Sequence, residues 1–186
     1  MTLLVLVGPA GVGKGTVVRE ILHRADDFSL SVSATTRTPR ESERNGVEYH
    51  FVSKERFEEM IHNGELLEWA QVHGLHYYGT PRSEIARAGA QGKNLVLEID
   101  LQGARQLIGR VDDQVQIFLL PPSWDELEQR LRGRGTETES EIQTRLETAR
   151  GEIAAAGEFD YQIVNDSVSA TASQIIDLVR NTERGT

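Results

Sequence analysis

Residues 3–7, "LLVLV", form an unbroken apolar run that leads without a spacer into "GPAGVGKGT" (8–16). Five consecutive apolar residues leave no polar face, so a strand made of them must be buried on both sides, as the central strand of a parallel sheet is. After the glycines, Val17, Val18, Ile21, Leu22 and Ala25 recur at helical spacing, which predicts an amphipathic helix over Lys14–Ala25. A buried strand, a tight glycine turn and a helix in that order open an α/β unit. The turn also has chemistry. Glycines let the backbone curl so that several N–H groups point inward, and the helix that follows presents its positive end to the same place. The phosphate-loop pattern asks for Gly, four residues, Gly-Lys and then Ser or Thr. Gly8, Gly13 and Lys14 fit; Gly15 stands where the hydroxyl is expected, and Thr16 comes one place late. A plain strand-to-helix turn is the competing reading, and the buried strand before it and the helix after it argue against that. Lys14 is placed to reach outer phosphates. Magnesium keeps most of its waters and needs few protein ligands where phosphates supply the rest. The loop therefore works on paper with Thr16 on a phosphate and Asp100 as an outer-sphere partner of the metal.

The alternation continues along the chain. "NLVLEID" (94–100), "VQIFLL" (115–120) and "YQIVN" (161–165) read as further buried strands. Ser123 with Glu126, and Thr138 with Glu141, read as capping boxes that start helices. Ile142, Leu146, Ala149 and Ile153 continue the second as an apolar stripe, and Ala170–Arg180 reads as a last amphipathic helix with Ile175, Ile176 and Val179 inward. Repeated βα units predict a parallel sheet with helices on both faces. Ligands of such sheets sit at the carboxyl ends of the strands, where Gly8–Thr16 and Asp100 both fall.

From Ser33 to Thr80 the pattern changes to short strands, "VEYHFV" and "LLEWAQV", around one small helix at 54–63. This predicts an inserted, partly β lobe. "RGRGTETES" (132–140) has glycine and charge without an apolar period and is expected to be a mobile flap between two helices.

Length and charge narrow the partners. A chain of 186 residues suits one domain with small inserted lobes. Its formal charge of −9 disfavours nonspecific nucleic-acid binding, which depends on neutralising phosphates. No apolar run is long enough to span a bilayer, and no basic start with a long apolar stretch marks a signal peptide. Cysteine is absent, which removes disulfides and thiolate metal sites and fits a cytoplasmic protein. An anion site must then be a local basic pocket in an acidic body. Of its basic residues, three are lysines and seventeen are arginines; one of those lysines sits in the glycine loop.

Three further stretches carry chemistry. In "SVSATTRTPRESERNGVEYHF" (31–51), Arg37, Arg40 and Tyr49, with Arg44 further on, have the groups to grip one phosphate; taken alone, the stretch is also consistent with an exposed basic loop. In "LLEWAQVHGLHYYGTPRSE" (66–84), Glu68 lies within an apolar strand, where an unpartnered carboxylate is costly. It needs a protein cation or a ligand. A carboxylate accepts both hydrogen bonds that the N1–H and N2–H₂ edge of guanine offers, and adenine offers no such pair. A salt bridge or an exposed edge position is the other reading. Tyr77, Tyr78 and Thr80 add hydroxyls, and Thr80-Pro81 fits a helix start. His73 and His76 have no third ligand in view and read as solvated loop residues. Near the flap, Arg130, Arg134 and Arg145 are of the type that stabilises a transferring phosphoryl group; arginines at a helix C-terminus are also favoured by its dipole.

In this order, "SVSATTRTPR", "NGVEYHF", "EWAQVHGLHYYGT", "EIDLQGA", "RLRGRGTETESEI" and "FDYQIVND" resemble the guanylate kinases, from Gly8 to Asn165. The resemblance implies a three-layer phosphate-loop fold: a parallel five-stranded sheet, an inserted mixed-β GMP-binding lobe and a small helical lid. The core would comprise 1–32, 81–128 and 150–186, the lobe 33–80 and the lid 129–149. It implies transfer of the γ-phosphate of ATP to GMP, with Mg²⁺ as cofactor and dGMP as a further acceptor, and no nucleic-acid or membrane partner. Carried over by motif, Gly8, Pro9, Ala10, Gly11, Val12, Gly13, Lys14, Gly15 and Thr16 would hold ATP phosphates, with Arg130, Arg134 and Asn165 on the ATP side. Ser33, Arg37, Arg40, Tyr49, Glu68, Tyr78, Thr80 and Asp100 would hold GMP. Lys14, Arg37, Arg134 and Arg145 would serve the transfer, and Thr16 and Asp100 the metal, through water or phosphate. The chain departs from the family pattern at Gly15, usually Ser, which puts direct metal ligation in doubt. Ser42 replaces a usual Gly, and Thr80 replaces a common Ser while keeping the hydroxyl. Two rivals remain in view. A kinase of another phosphorylated acceptor would not need Glu68 with Ser33, and a binding module of the same shape would tend to lose Lys14.

Overall fold

The computed structural model describes residues 1–72, 74–133 and 138–184. Five parallel strands form the main sheet: β1 (Leu3–Val7), β2 (Phe28–Leu30), β7 (Asn94–Glu98), β8 (Gln114–Leu120) and β9 (Tyr161–Val164), in the order β2-β7-β1-β8-β9. β1 lies at the centre, as its apolar sequence requires. Its side chains alternate between two cores. Leu4 and Leu6 join Val17, Val18 and Ile21 of helix α1 (Lys14–Arg24) and Ile175 and Val179 of α7 (Val168–Arg184). Leu3, Val5 and Val7 face the other way, onto Ala88 of α3 (Ser83–Ala90) and Ala104 and Leu107 of α4 (Leu101–Leu107). All five are at most 2% exposed, and each contributes about 1.5–3 kcal/mol of transfer free energy to holding the layers together. β2 has no apolar run to announce it. Three residues long, it exists through its pairing with β7.

A second sheet comes from the intervening stretch, in the order β4-β3-β6-β5: β3 (Ala34–Thr35), β4 (His50–Phe51), β5 (Leu66–Val72) and β6 (His76–Pro81). β3 pairs in parallel with β4, and the other pairs are antiparallel. Helix α2 (Lys54–His62) buries Phe57 and Met60 against Ala34 and Leu66. The expected strand over "VEYHFV" shrinks to His50–Phe51. Gly46 N–H donates to the Tyr49 carbonyl and Phe51 N–H to Asn45 Oδ1, so a turn uses the polar groups a longer strand would pair. The expected helix start at Thr80-Pro81 is also corrected: both residues belong to β6, Pro81 opposite Leu66, and the helix begins at Ser83.

Helix α5 (Trp124–Arg132) is capped by Ser123, whose hydroxyl accepts from Glu126 N–H, but the reciprocal half of the expected box is not made; the Glu126 carboxylate takes Arg130 instead. Helix α6 (Glu139–Ala154) has the full box between Thr138 and Glu141. Ile142, Leu146 and Ala149 pack on Leu127 and Leu131. The stretch 132–140 proves shorter between helices than expected at both ends, since Arg132 closes α5 and Glu139 opens α6; residues 134–137, Arg134 among them, lie outside the described residues, as does His73. A 3₁₀ turn, Ala156–Glu158, precedes β9. No helix among the described residues is long and apolar enough to cross a membrane.

Candidate active site

A cleft of about 670 Å³ opens at the carboxyl ends of β1 and β7 and is closed on its far side by the second sheet. Its floor is the glycine loop. Gly8 has φ +149°, and a β-carbon there would lie 2.6 Å from the Leu119 carbonyl oxygen; Gly13, at φ +100°, caps α1. Only glycine meets both demands cheaply. No side chain caps α1 and its first turn carries no acid, so the positive end of its dipole faces the loop with no protein carboxylate against it. The Lys14 ammonium folds back across the loop to donate to the Gly8 carbonyl at 2.5 Å and the Pro9 carbonyl at 3.4 Å.

The loop is held from below. Asn165 Nδ2 and Arg130 Nη1 both donate to the Val12 carbonyl, at 2.8 and 3.2 Å. Asn165 is 2% exposed, and its Oδ1 has no hydrogen-bond partner among the described residues. The structure thus puts both residues against the loop backbone itself, and neither lines the cleft.

On the opposite wall the structure pairs Glu68 with Thr80, a contact the sequence did not suggest. They face each other across β5 and β6, and the Thr80 hydroxyl donates to Glu68 Oε1 at 2.6 Å. Glu68 is 3% exposed, and burial pushes its carboxyl up to about 7; the Thr80 hydrogen bond pulls the other way, and the Asp100 charge adds to the rise. Asp100 caps α4 by accepting from Gly103 N–H at 2.8 Å. Gly103 packs so closely on Glu68 that a β-carbon would run into Oε2. Among the described residues the partner of the Glu68 carboxylate is the Thr80 hydroxyl rather than a cation, so the local geometry does not favour the salt-bridge reading. Ser33, Tyr49 and Tyr78 complete this wall, the two rings meeting edge-on at 5.9 Å. Burial raises the Tyr49 phenol above its ordinary range.

Arg37 lies behind the tyrosines, its guanidinium 5.5 Å from the Tyr49 ring centre. It donates to Glu43 Oε1 at 2.8 Å and to the Thr38 carbonyl at 2.7 Å, and the Glu43 carboxylate raises its pKa. Arg40 is exposed and meets Glu43 through its backbone N–H. Arg145 enters the cleft from α6 with Thr148 and Glu152. The cleft therefore gathers Gly8, Ala10, Lys14, Ser33, Tyr49, Glu68, Tyr78, Asp100 and Arg145. It does not gather Thr16, whose exposed hydroxyl accepts from Arg19, nor do Arg37, Arg40 or Thr80 line it.

Besides Glu48, two acids of the cleft escaped the sequence reading. Glu98, at the end of β7, faces the loop: a β-carbon at Gly15 would lie 3.4 and 3.5 Å from its carboxylate oxygens. Glu152 reaches in from α6. Burial raises both carboxyls, and the Lys14 charge opposes the rise in each. Glu98 is solvent-accessible by surface area; its desolvation comes from the concave wall around it rather than from full enclosure. The signal for Glu98 was of the kind that exposed Glu68, an acid in an apolar strand run. Among the described residues no group of three His, Cys, Asp or Glu side chains is placed to hold a metal alone.

Comparison with known proteins agrees with this geometry. The family model described as guanylate kinase matches residues 1–182. A curated guanylate kinase of Thermosynechococcus vestitus is 55% identical over 89% of this chain and 86% of its own. That of Nocardia farcinica is 51% identical over 97% and 94%. The crystal structure of guanylate kinase from Anaplasma phagocytophilum superposes with a TM-score of 0.77 at 34% identity, covering 97% of this chain and 85% of that one. With the phosphate loop, the buried carboxylate opposite it and these likenesses together, the chain belongs to the guanylate kinase family.

Proposed function

We propose that this protein is an ATP:GMP phosphotransferase that gives ADP and GDP, with dGMP as a second acceptor. The observation that carries the reading is Glu68: a buried carboxylate, held among the described residues by a hydroxyl rather than a cation, on the wall opposite a phosphate loop. A site built to hydrogen-bond one substrate edge rejects analogues lacking it, because its buried polar groups would be left unpaired. Guanine N1–H and N2–H₂ satisfy Glu68, with Asp100 and Ser33 beside it and Thr80 fixing the carboxylate. Tyr49, Tyr78, Arg37 and Arg40 hold the acceptor phosphate.

The loop Gly8–Thr16 cradles the ATP phosphates, with Lys14 leaving its carbonyl contacts for the transferring group. Arg130 and Asn165 hold the loop in shape. Arg145 from α6, and Arg134, serve the transfer as the lid 129–149 and the lobe 33–80 close on the nucleotides and exclude water. Little covalent chemistry is asked of the protein: the acceptor phosphate is already an anionic nucleophile, and catalysis is alignment and charge balance. Magnesium fits the donors present, hard carboxylate oxygens facing the loop. Glu98, Asp100 and Thr16 are the residues that would hold its waters or orient the phosphates. When bound it neutralises charge on the ATP phosphates. The cytoplasm, where both nucleotides are made and used, is the proposed compartment.

The test is to mix the protein with ATP, Mg²⁺ and each nucleoside monophosphate in turn and follow ADP. Fast ADP formation with GMP and dGMP alone supports the reading. No turnover with any acceptor, or equal turnover with AMP, overturns it.

A further inference from the structure

β2 is an edge strand, and its inner side pairs with β7: Leu30 sits opposite Val96, and Ser31 N–H donates to the Val96 carbonyl at 2.9 Å. Along a parallel ladder a residue facing position i donates to the carbonyl of i−1 and accepts from the N–H of i+1. On the outer side of β2 no strand does this. Instead two side chains of α3 do. Arg87 Nη2 donates to the Leu30 carbonyl at 2.7 Å, and Glu84 Oε2 accepts from Val32 N–H at 2.8 Å. Together they supply the two hydrogen bonds that one residue of a neighbouring strand would make opposite Ser31.

The pair is self-contained. Glu84 Oε2 also accepts from Arg87 Nε and Nη2, at 3.2 and 2.7 Å, and the Glu84 side chain is 5% exposed against 36% for Arg87. A carboxylate so buried is tolerated because its charge is met and its oxygen is used. The segment it holds is functional ground. Leu30, Ser31 and Ser33 line the cleft, and the Ser33 carbonyl then accepts from His50 N–H at 2.8 Å to start the second sheet. This is the point where the chain leaves the main sheet for the inserted lobe.

We propose that Glu84 and Arg87 are positioning residues for the acceptor nucleotide: a side-chain stand-in for a missing strand, which sets the exit of β2 and with it the place of Ser33 at the guanine end of the cleft. The inference rests on the acceptor reading above for its functional half, while its structural half stands alone. Two measurements on the full chain separate them. Hydrogen exchange at the Val32 amide, read by NMR, becomes about tenfold faster in Glu84→Ala, with much less change at Ser31 N–H, which β7 holds. In steady state the same variant shows a KM for GMP about tenfold higher and a reduced preference for GMP over IMP, with kcat and the KM for ATP nearly unchanged. Glu84→Gln keeps an acceptor for Val32 and recovers most of both effects. Should Glu84→Ala fail to fold, Glu84→Met, which keeps the bulk of the side chain but offers Val32 N–H no acceptor, is measured in its place, with the same directions expected. Unchanged Val32 exchange overturns the stand-in. Faster exchange with KM for GMP and for ATP rising together overturns the positioning role, leaving only a structural one. Failure of the wild-type protein to use GMP at all would strike the functional reading and leave the exchange result intact.

Discussion

The two walls of the cleft are made of different material. On the core side the groups proposed to recognise the nucleotide are mostly backbone, the loop Gly8–Thr16 and the start of α1, with one lysine side chain added. On the lobe side the proposed groups are side chains: Glu68 with Thr80, Asp100, Ser33, Tyr49 and Tyr78. Backbone amides suit phosphate, which every nucleotide has, and tell nothing about the base. Side chains with fixed donors and acceptors can read a base edge, but each must then be buried, held and charge-balanced. The first wall costs conformational freedom, so it is written in glycines. The second costs desolvation, so it is written in polar residues where apolar ones are expected.

The largest effect that breaks this contrast is at Lys14. Lys14→Ala should lower phosphoryl transfer by about 10²–10³-fold or more while circular dichroism and melting temperature stay near wild type. Near-normal turnover would remove the core wall from the chemistry. Next comes Glu68→Gln, which should lower kcat/KM for GMP by about 10²-fold with the KM for ATP within about twofold. Equal losses for the two nucleotides would mean that the lobe wall does not read the base.

The contrast sharpens with pH. Burial raises the Glu68 carboxyl from 4.5 to about 7. Guanine donors favour the charged form, so guanosine, which has no phosphate to titrate, should bind up to about tenfold better at pH 8 than at pH 6, as measured by calorimetry. The Glu68→Gln protein should lose that slope. The same shift has a stability consequence of opposite sense. Between 4.5 and about 7 the folded state holds a proton that the unfolded state has released. Stability from this group is therefore complete below 4.5 and falls as pH rises through about 7, by up to about 3 kcal/mol at ~1.4 kcal/mol per pH unit. Denaturant titrations of wild type and Glu68→Gln across that window should diverge accordingly; parallel curves would contradict the buried, raised carboxyl.

The smallest effect is at Gly15. A β-carbon there meets Glu98 only at ordinary contact distance, so Gly15→Ser should be accommodated, shift the Mg²⁺ requirement by no more than about threefold and leave turnover standing. A large loss would mean that Gly15 is needed for the loop's shape.

The same contrast explains what the sequence made legible. β1, α1 and the loop between them follow from an apolar run and glycine spacing, because burial on both faces and positive φ each restrict composition strongly. Glu68 was legible as a carboxylate on apolar ground, while its pairing with Thr80 across β5 and β6 was not. Glu98 and Glu152 were not picked out, although Glu98 carries the same mark; Glu152 looks like any acid of a long helix until α6 is seen to cross the cleft. β2 and the Glu84–Arg87 pair were invisible for a different reason. Their hydrogen bonds join residues 52 and 57 apart in sequence, and no local pattern records which edge strand a helix will cover. The position of Arg130 and Asn165 under the Val12 carbonyl was hidden likewise, since both residue types are equally suited to a nucleotide.

The most direct test of the division between the walls is the ratio of kcat/KM for GMP to that for IMP, which lacks the 2-amino group, measured with saturating ATP in wild type and in Glu68→Gln. Wild type should favour GMP by about 10²-fold or more, and Glu68→Gln should lose most of that preference while its KM for ATP stays in place. A preference that survives in Glu68→Gln would contradict the assignment of base reading to the buried carboxylate.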